Sequence, residues 1–211
     1  MKYSIIIPAF NAEDRIHRAL DSIVNQDLID KDEYEIIVVC DSCEDKTEAI
    51  CQSYGAKTFP VEFHNDGLTR TKGIEVASGD WLLFMDDDDW WLHEYVLYTL
   101  DKVMEKEGTD VDIFLFGFVW KHKGIMAPLA NAGRPFPSVW NKCWKRSFVV
   151  DNEIKFPKVY SISDLYFHTK AMSLNPKMKM FDTPLYYYNY MRKGSISETQ
   201  FKGVDVYGKK K

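Results

Sequence analysis

Apolar positions alternate between short continuous runs and helical spacing from the first residues to about residue 110. Tyr3–Ile7 is a β-branched apolar run stopped by Pro8, which has no N–H for a ladder. From Ala12 to Asn25, Ile16, Leu20, Ile23 and Val24 fall on one face of a helix. Glu35–Val39 predicts a second buried strand, Asp45–Tyr54 a helix ended by Gly55, and Thr58–Phe63 a third strand. Gly67–Ala77 reads as a helix ended by Ser78-Gly79, Trp81–Met85 as the fourth strand, and His93–Lys106 as a helix before Gly108. This order predicts an α/β fold with a parallel sheet and helices on both faces.

From Asp112 the pattern changes. Ile113–Trp120 is a long apolar strand and Lys121–Pro137 is loop-rich. Val139–Val150 and Ser161–Ser173 read as helices, Met178–Asp182 and Leu185–Met191 as strands. With no internal repeat and no low-complexity linker, residues 1–211 are taken as one domain with a boundary of character near residue 110.

The run Asp86-Asp87-Asp88-Asp89 follows the fourth strand directly. Adjacent like charges repel and resist burial. A hard divalent cation, which prefers carboxylate oxygens, would hold them together. In α/β proteins ligands bind outside the carboxyl ends of the strands, where this run lies. A solvated acidic turn capping a helix from near Trp91 satisfies the same residues.

The motifs around this run carry a resemblance. Ile5-Ile6-Ile7-Pro8-Ala9-Phe10-Asn11-Ala12-Glu13 resembles the opening strand and loop of family-2 inverting glycosyltransferases. Ile36 to Thr47, with Asp41-Ser42-Cys43-Glu44-Asp45-Lys46-Thr47, resembles the second strand and turn of that family. Arg70-Thr71-Lys72-Gly73-Ile74, through Ser78-Gly79-Asp80 to Trp90-Trp91, resembles the segment leading into its Asp-x-Asp metal motif. Val139-Trp140-Asn141-Lys142 and Tyr186 to Ser197 resemble two later motifs, all in family order. The resemblance implies a GT-A fold: a mostly parallel central sheet flanked by helices, with a smaller acceptor-side region. Residues 1–110 would form the nucleotide-sugar half and 111–211 the acceptor half.

It also implies roles. Asp86 and Asp88 would bind Mn²⁺ or Mg²⁺ bridging the donor phosphates, with Asp88 the direct ligand and Asp86 reaching ribose or metal through water. Asp87 fills the variable position on the nucleotide-sugar side, or is a plain surface charge. Asp89 caps the helix that follows. Pro8, Ala9 and Phe10 would wrap base and ribose through backbone groups. Glu13 reaches the ribose, or complements the helix dipole. Asp41 accepts from the base, or forms an Asx turn; Cys40 stands where many relatives carry an acid. Arg70 approaches base or diphosphate, or is an exposed helix residue. Asp164 aligns with the general base, or is a helix-start residue; Ser163 replaces a Glu usual in the family. Trp140, Asn141 and Lys142 line the acceptor side, Trp140 alternatively packing in the core. Arg192 clamps the diphosphate from a C-terminal loop, or is an ordinary loop residue.

The donor would be a nucleotide-diphosphate sugar, UDP-linked, and the acceptor a hydroxyl of a glycan or lipid-linked molecule. Two rivals stay open: a metal-dependent nucleotidyltransferase or phosphohydrolase, and a catalytically weak glycan- or nucleotide-binding module. Cys40-Asp41-Ser42-Cys43 adds a dithiol or half a zinc site as a further alternative. His64, His93 and His168 share no ligand spacing.

Composition narrows the setting. A net charge of −5 argues against nucleic acid as a partner. The apolar N-terminal run is too short for a signal peptide, and no stretch is long enough to span a bilayer. The expectation is a cytoplasmic protein. The basic Gly208-Lys209-Lys210-Lys211 end would touch an anionic membrane face or fray in solvent, and self-association into a homo-oligomer is open. Many relatives continue beyond the Arg192 motif, and whether a C-terminal tail or acceptor lid is missing here stays open.

Overall fold

The computed structural model describes residues 1–121, 124–126, 129–130, 134–159, 162–190 and 195. The first half comprises β1 (Tyr3–Ala9), α1 (Ile16–Val24), β2 (Tyr34–Asp41), α2 (Thr47–Ser53), β3 (Lys57–Val61), α3 (Asp66–Val76), β4 (Trp81–Phe84), β5 (Trp90–Trp91) and α4 (Val96–Glu107). After it come β6 (Ile113–Trp120), β7 (Gly124–Met126), β8 (Leu129–Ala130), β9 (Arg134–Pro135), β10 (Lys142–Lys145), α5 (Arg146–Asp151), α6 (Ser163–Met172) and β11 (Met178–Tyr188).

The main sheet runs β3-β2-β1-β4-β10-β6-β11-β5, with β7 added to β6. β1 to β4 are parallel, in the registers Ile5↔Ile36 and Ile5↔Leu83. β10 is antiparallel to both its neighbours, β4 and β6. β6 and β11 are parallel again. This is the GT-A arrangement.

Strand alternation divides the interior in two. Ile5 and Ile7 point to one face, packing with Ile16, Leu20, Leu97 and Leu100 of α1 and α4. Ile6 points to the other, packing with Ile74 of α3, Val149 of α5 and Phe167 and Ala171 of α6. β2 is buried along its whole length, as a strand covered on both faces must be.

Four expectations change. Residues 139–145 form no helix; β10 lies at 142–145 and a helix only at 146–151. Cys143 and Trp144 are both fully buried, and a short apolar run buried on both faces has no period that separates strand from helix. Trp90-Trp91 pairs with Tyr187-Tyr186 as β5 instead of opening a helix. The loop-rich 121–137 segment contains β7 and the β8–β9 pair. The two predicted C-terminal strands are one, β11, with register shifts on either side of Pro184. Gly117 permits that irregularity: a Cβ there would lie 2.4 Å from the Asp182 carbonyl oxygen.

Candidate active site

The carboxyl ends of β1, β2 and β4 bring three loops together. The first two are tied by their own polar residues. The Asp45 carboxylate accepts from Thr47 N at 3.0 Å and Glu13 N at 3.0 Å, and Thr47 Oγ1 accepts from Ala12 N at 2.7 Å. Asn11, at φ +42, accepts from Glu44 N at 2.8 Å. The Glu13 carboxylate accepts from Lys46 N at 3.0 Å, so it braces the second loop.

Asp41 is buried at the end of β2. Its Oδ1 accepts from Phe63 N at 2.8 Å, His64 N at 2.9 Å and Ser42 Oγ at 3.1 Å; its Oδ2 accepts from Asn65 N at 2.8 Å and Thr69 Oγ1 at 3.0 Å. Desolvation pushes its pKa up, but the amide and hydroxyl donors outweigh it and hold the carboxyl below its ordinary value. A carboxylate has about four lone-pair sites, all engaged here. These contacts give Asp41 the turn-forming role expected as its alternative: it organises the turn into α3. Ser42 (φ +56) and His64 (φ +49) take left-handed backbone conformations beside it.

The acidic run is divided by its partners. Asp87 accepts from Arg15 Nε at 2.9 Å and Nη2 at 2.8 Å, a bidentate pair. The same guanidinium donates to the carbonyls of Asn11 at 2.7 Å and Phe10 at 2.9 Å. Asp87 is therefore neither an incidental surface charge nor open to the donor. It locks the β1–α1 loop to the acidic loop, and Phe10 O is already occupied. Ala9 is buried and Pro8 half-buried.

Asp89 is buried and caps no helix. It accepts from Tyr186 Oη at 2.7 Å and Asn189 N at 2.7 Å. Burial and the neighbouring charges of Asp88 and Asp86 push its pKa up. Tyr186 Oη also accepts from Asp86 N at 3.1 Å, so one hydroxyl supports both ends of the run. Asp86 and Asp88 remain half-buried at its surface.

Arg70 underlies this surface. It is only 6% exposed, which overturns the exposed helix position. Nη1 donates to Asp66 at 2.5 Å and Nη2 to Asp86 at 2.7 Å, while Asp164 Oδ1 stands 3.9 Å from Nη1. Burial opposes its charge, but Asp164, Asp86 and Asp66 more than restore it. Three carboxylates around one cation leave the cluster net negative.

Asp164 lies in the first turn of α6, a quarter exposed, its Oδ2 accepting from Val139 N at 3.2 Å. Burial raises its pKa to about 6; Arg70 works against the shift, and Asp86 and Asp66 add to it. Ser163, where the family carries Glu, is buried and donates to Asp66 at 2.8 Å. Gly67 allows α3 to approach both α6 and the segment before it, since a Cβ there would lie 3.2 Å from Ser163 Cβ and 2.6 Å from Pro157 O.

The expected acceptor trio is not at the surface. Trp140 is buried, stacked on Tyr186 with ring centroids 4.8 Å apart and edge-on to Phe118 at 4.8 Å. Asn141 and Lys142 are fully buried, the lysine between backbone and amide oxygens. A tightly packed turn hides all three side chains. Arg192 lies outside the described residues. The cysteines are free; Cys40 is pushed up to about 12, where a Cys43 hydrogen bond that lowers it is outweighed by one from Cys51 and by burial. Such a thiol stays protonated and is a poor nucleophile.

Arg15 and Asp66 are the residues that sequence reasoning missed. The Asp66–Arg70 spacing of four on one helix was a visible signal. Nothing local marked Arg15.

The model of glycosyl transferase family 2 matches residues 4–148. The chain belongs to this family. The poly(ribitol-phosphate) beta-glucosyltransferase of Bacillus spizizenii is 30% identical to this chain over 214 residues, covering 92% of this chain and 33% of that protein. The poly(ribitol-phosphate) beta-N-acetylglucosaminyltransferase TarS of Staphylococcus aureus is 26% identical over 225 residues, covering 98% and 39%. The crystal structure of TarS residues 1–349 with UDP-GlcNAc matches with a TM-score of 0.78 and 26% identity, covering 89% of this chain and 58% of that one. The mannosyltransferase PcManGT of Pyrobaculum calidifontis, in complex with GDP-Man and Mn²⁺, shares the fold at 15% identity and a TM-score of 0.73, over 96% of this chain and 61% of that one. The chain spans between a third and two thirds of these relatives' length. No helix among the described residues is long and apolar enough to cross a membrane.

Proposed function

We propose that this chain is a glycosyltransferase that moves a sugar from a UDP-linked donor to a hydroxyl of a glycan or lipid-linked acceptor, by one displacement with inversion and Asp164 as general base. The observation that carries the proposal is the placement of Asp164 and Asp86 around one buried guanidinium, Arg70. On an inverting path the base stands on the acceptor side, across the anomeric carbon from the leaving group, and a pKa of about 6 suits a proton acceptor near neutrality. Asp164 takes the acceptor proton as the hydroxyl oxygen bonds to the anomeric carbon, and the bond to the diphosphate oxygen breaks. The nucleoside diphosphate leaves with the electron pair. UDP as the nucleotide rests on the UDP-GlcNAc complex of TarS.

Among the described residues no three His, Cys, Asp or Glu side chains are grouped as a metal cage. The donor set nonetheless fits Mn²⁺ or Mg²⁺ supported by substrate: Asp88 and Asp86 are half-buried carboxylates, Arg70 is bonded to one oxygen of Asp86, and phosphate oxygens and water would complete the coordination. A cation there offsets charge on the departing diphosphate. Pro8, Ala9, Phe10 and Glu13 form the donor side, residues 1–110 the nucleotide-sugar half and 111–211 the acceptor half, with Arg192 clamping the diphosphate.

The test is release of nucleotide from UDP-sugars with Mn²⁺ and an acceptor hydroxyl. UDP release by the native chain, and its loss in Asp164→Asn with UDP binding retained, is the expected result. Near-native turnover of Asp164→Asn overturns the assignment.

A further inference from the structure

Lys142 is fully buried, yet every proton of its ammonium has a partner. It donates to Phe136 O at 2.7 Å, Ser138 O at 2.5 Å and Asn141 Oδ1 at 2.8 Å. Three oxygens at hydrogen-bond distance need three N–H groups, so the cage is built for the charged form. Ser138 Oγ closes the ring by donating to the same Asn141 oxygen at 2.8 Å. The chain at 136–141 is thus wrapped around one cation. Val139, in the middle of that wrap, presents its N–H to Asp164 Oδ2 and its carbonyl to Trp144 Nε1 at 3.1 Å.

We infer that Lys142 is a positioning residue for Asp164, folding the 136–141 turn so that the Val139 amide holds the carboxylate while the ammonium lends it positive potential. The inference rests on the assignment of Asp164 as the base. A buried ion is otherwise costly, and a methionine of similar volume would fill the space without that cost.

The charges around the pair are few. Arg70 and Asp66 from α3 and Asp86 from the acidic loop face Asp164. Asp164 and His168, both on α6, face Lys142. Burial lowers the lysine to about 7, and Asp164 works in the opposite direction. His168 is held down to about 4, first by burial and then by Lys142, so it is neutral and supplies no competing charge.

The experiment needs no substrate. The chain labelled with ¹³C at aspartate carboxyls is titrated by NMR, the Asp164 signal being assigned by its absence from Asp164→Asn. In Lys142→Met the Asp164 titration moves up by about one pH unit, the low end of what a nearby opposite charge supplies. In Asn141→Ala, where the ammonium keeps two of its oxygens, it moves the same way by less. An unmoved or lowered titration in a cooperatively folding Lys142→Met overturns the inference. Should that variant not fold, Asn141→Ala decides by the same criterion. Separately, retained transfer by Asp164→Asn sinks the base assignment without touching the titration result.

Discussion

Arg15 and Asp87 form two parallel hydrogen bonds, 2.9 and 2.8 Å long, between side chains only 18% and 13% exposed. This pair joins the first loop of the sheet to the acidic loop. Arg15→Met and Asp87→Asn should each lower stability by about 2 kcal/mol, since each leaves a charged hydrogen-bonding partner unmatched. A double-mutant cycle by urea unfolding should return a coupling of about 1 kcal/mol. Additive losses would show that the two loops are held independently.

Asp164 should make the protein less stable as pH rises. Its folded pKa, about 6, lies above its ordinary value of 3.8, so the folded state binds the proton more tightly. The stabilisation is complete below about pH 4 and is lost between roughly pH 4 and 6. Asp164→Asn should therefore match the native chain at low pH and exceed it above pH 6, by ~3 kcal/mol at most. Thermal melts at pH 4 and pH 8 measure this, and a variant that is less stable at pH 8 refutes it.

Metal-dependent nucleotide binding should separate the four acids. With Mn²⁺ present, UDP should raise the melting temperature of the native chain, because a ligand confined to the folded state stabilises it. Asp88→Asn should lose the Mn²⁺-dependent part of that shift, while Asp87→Asn keeps a Mn²⁺ dependence. Equal shifts in native chain and Asp88→Asn would remove Asp88 from the metal site.

Tyr186→Phe removes the hydroxyl that donates to Asp89 and accepts from Asp86 N. A buried carboxylate left short of a donor costs about 1–3 kcal/mol. Urea unfolding should show that loss, and UDP–Mn²⁺ affinity should fall with it as the acidic loop loosens. Unchanged affinity would mean that the loop keeps its shape without the tyrosine.

The alternation of strands and helices up to residue 110 was legible because each element buries a repeating pattern within a few residues of itself. Ile5, Ile6 and Ile7, or Ile16, Leu20 and Ile23, declare their geometry locally. The acidic run and Asp164 were legible too, as carboxylates at the end of a strand and the start of a helix. What the chain did not declare were relationships across long sequence separations. β10 is a strand because β4 and β6 leave a slot that a short apolar run fills, and no periodicity records the slot. Trp140, Asn141 and Lys142 looked like surface chemistry by type, but packing put them inside. Asp41 meets the amides of residues 63–65 only because β2 and the turn before α3 end side by side. The sequence alone settles which residues bear charge and which elements form. Only tertiary structure decides which carboxylate meets which cation, because partners such as Arg15 and Asp87 are fixed by where strands end in space and not by their distance along the chain.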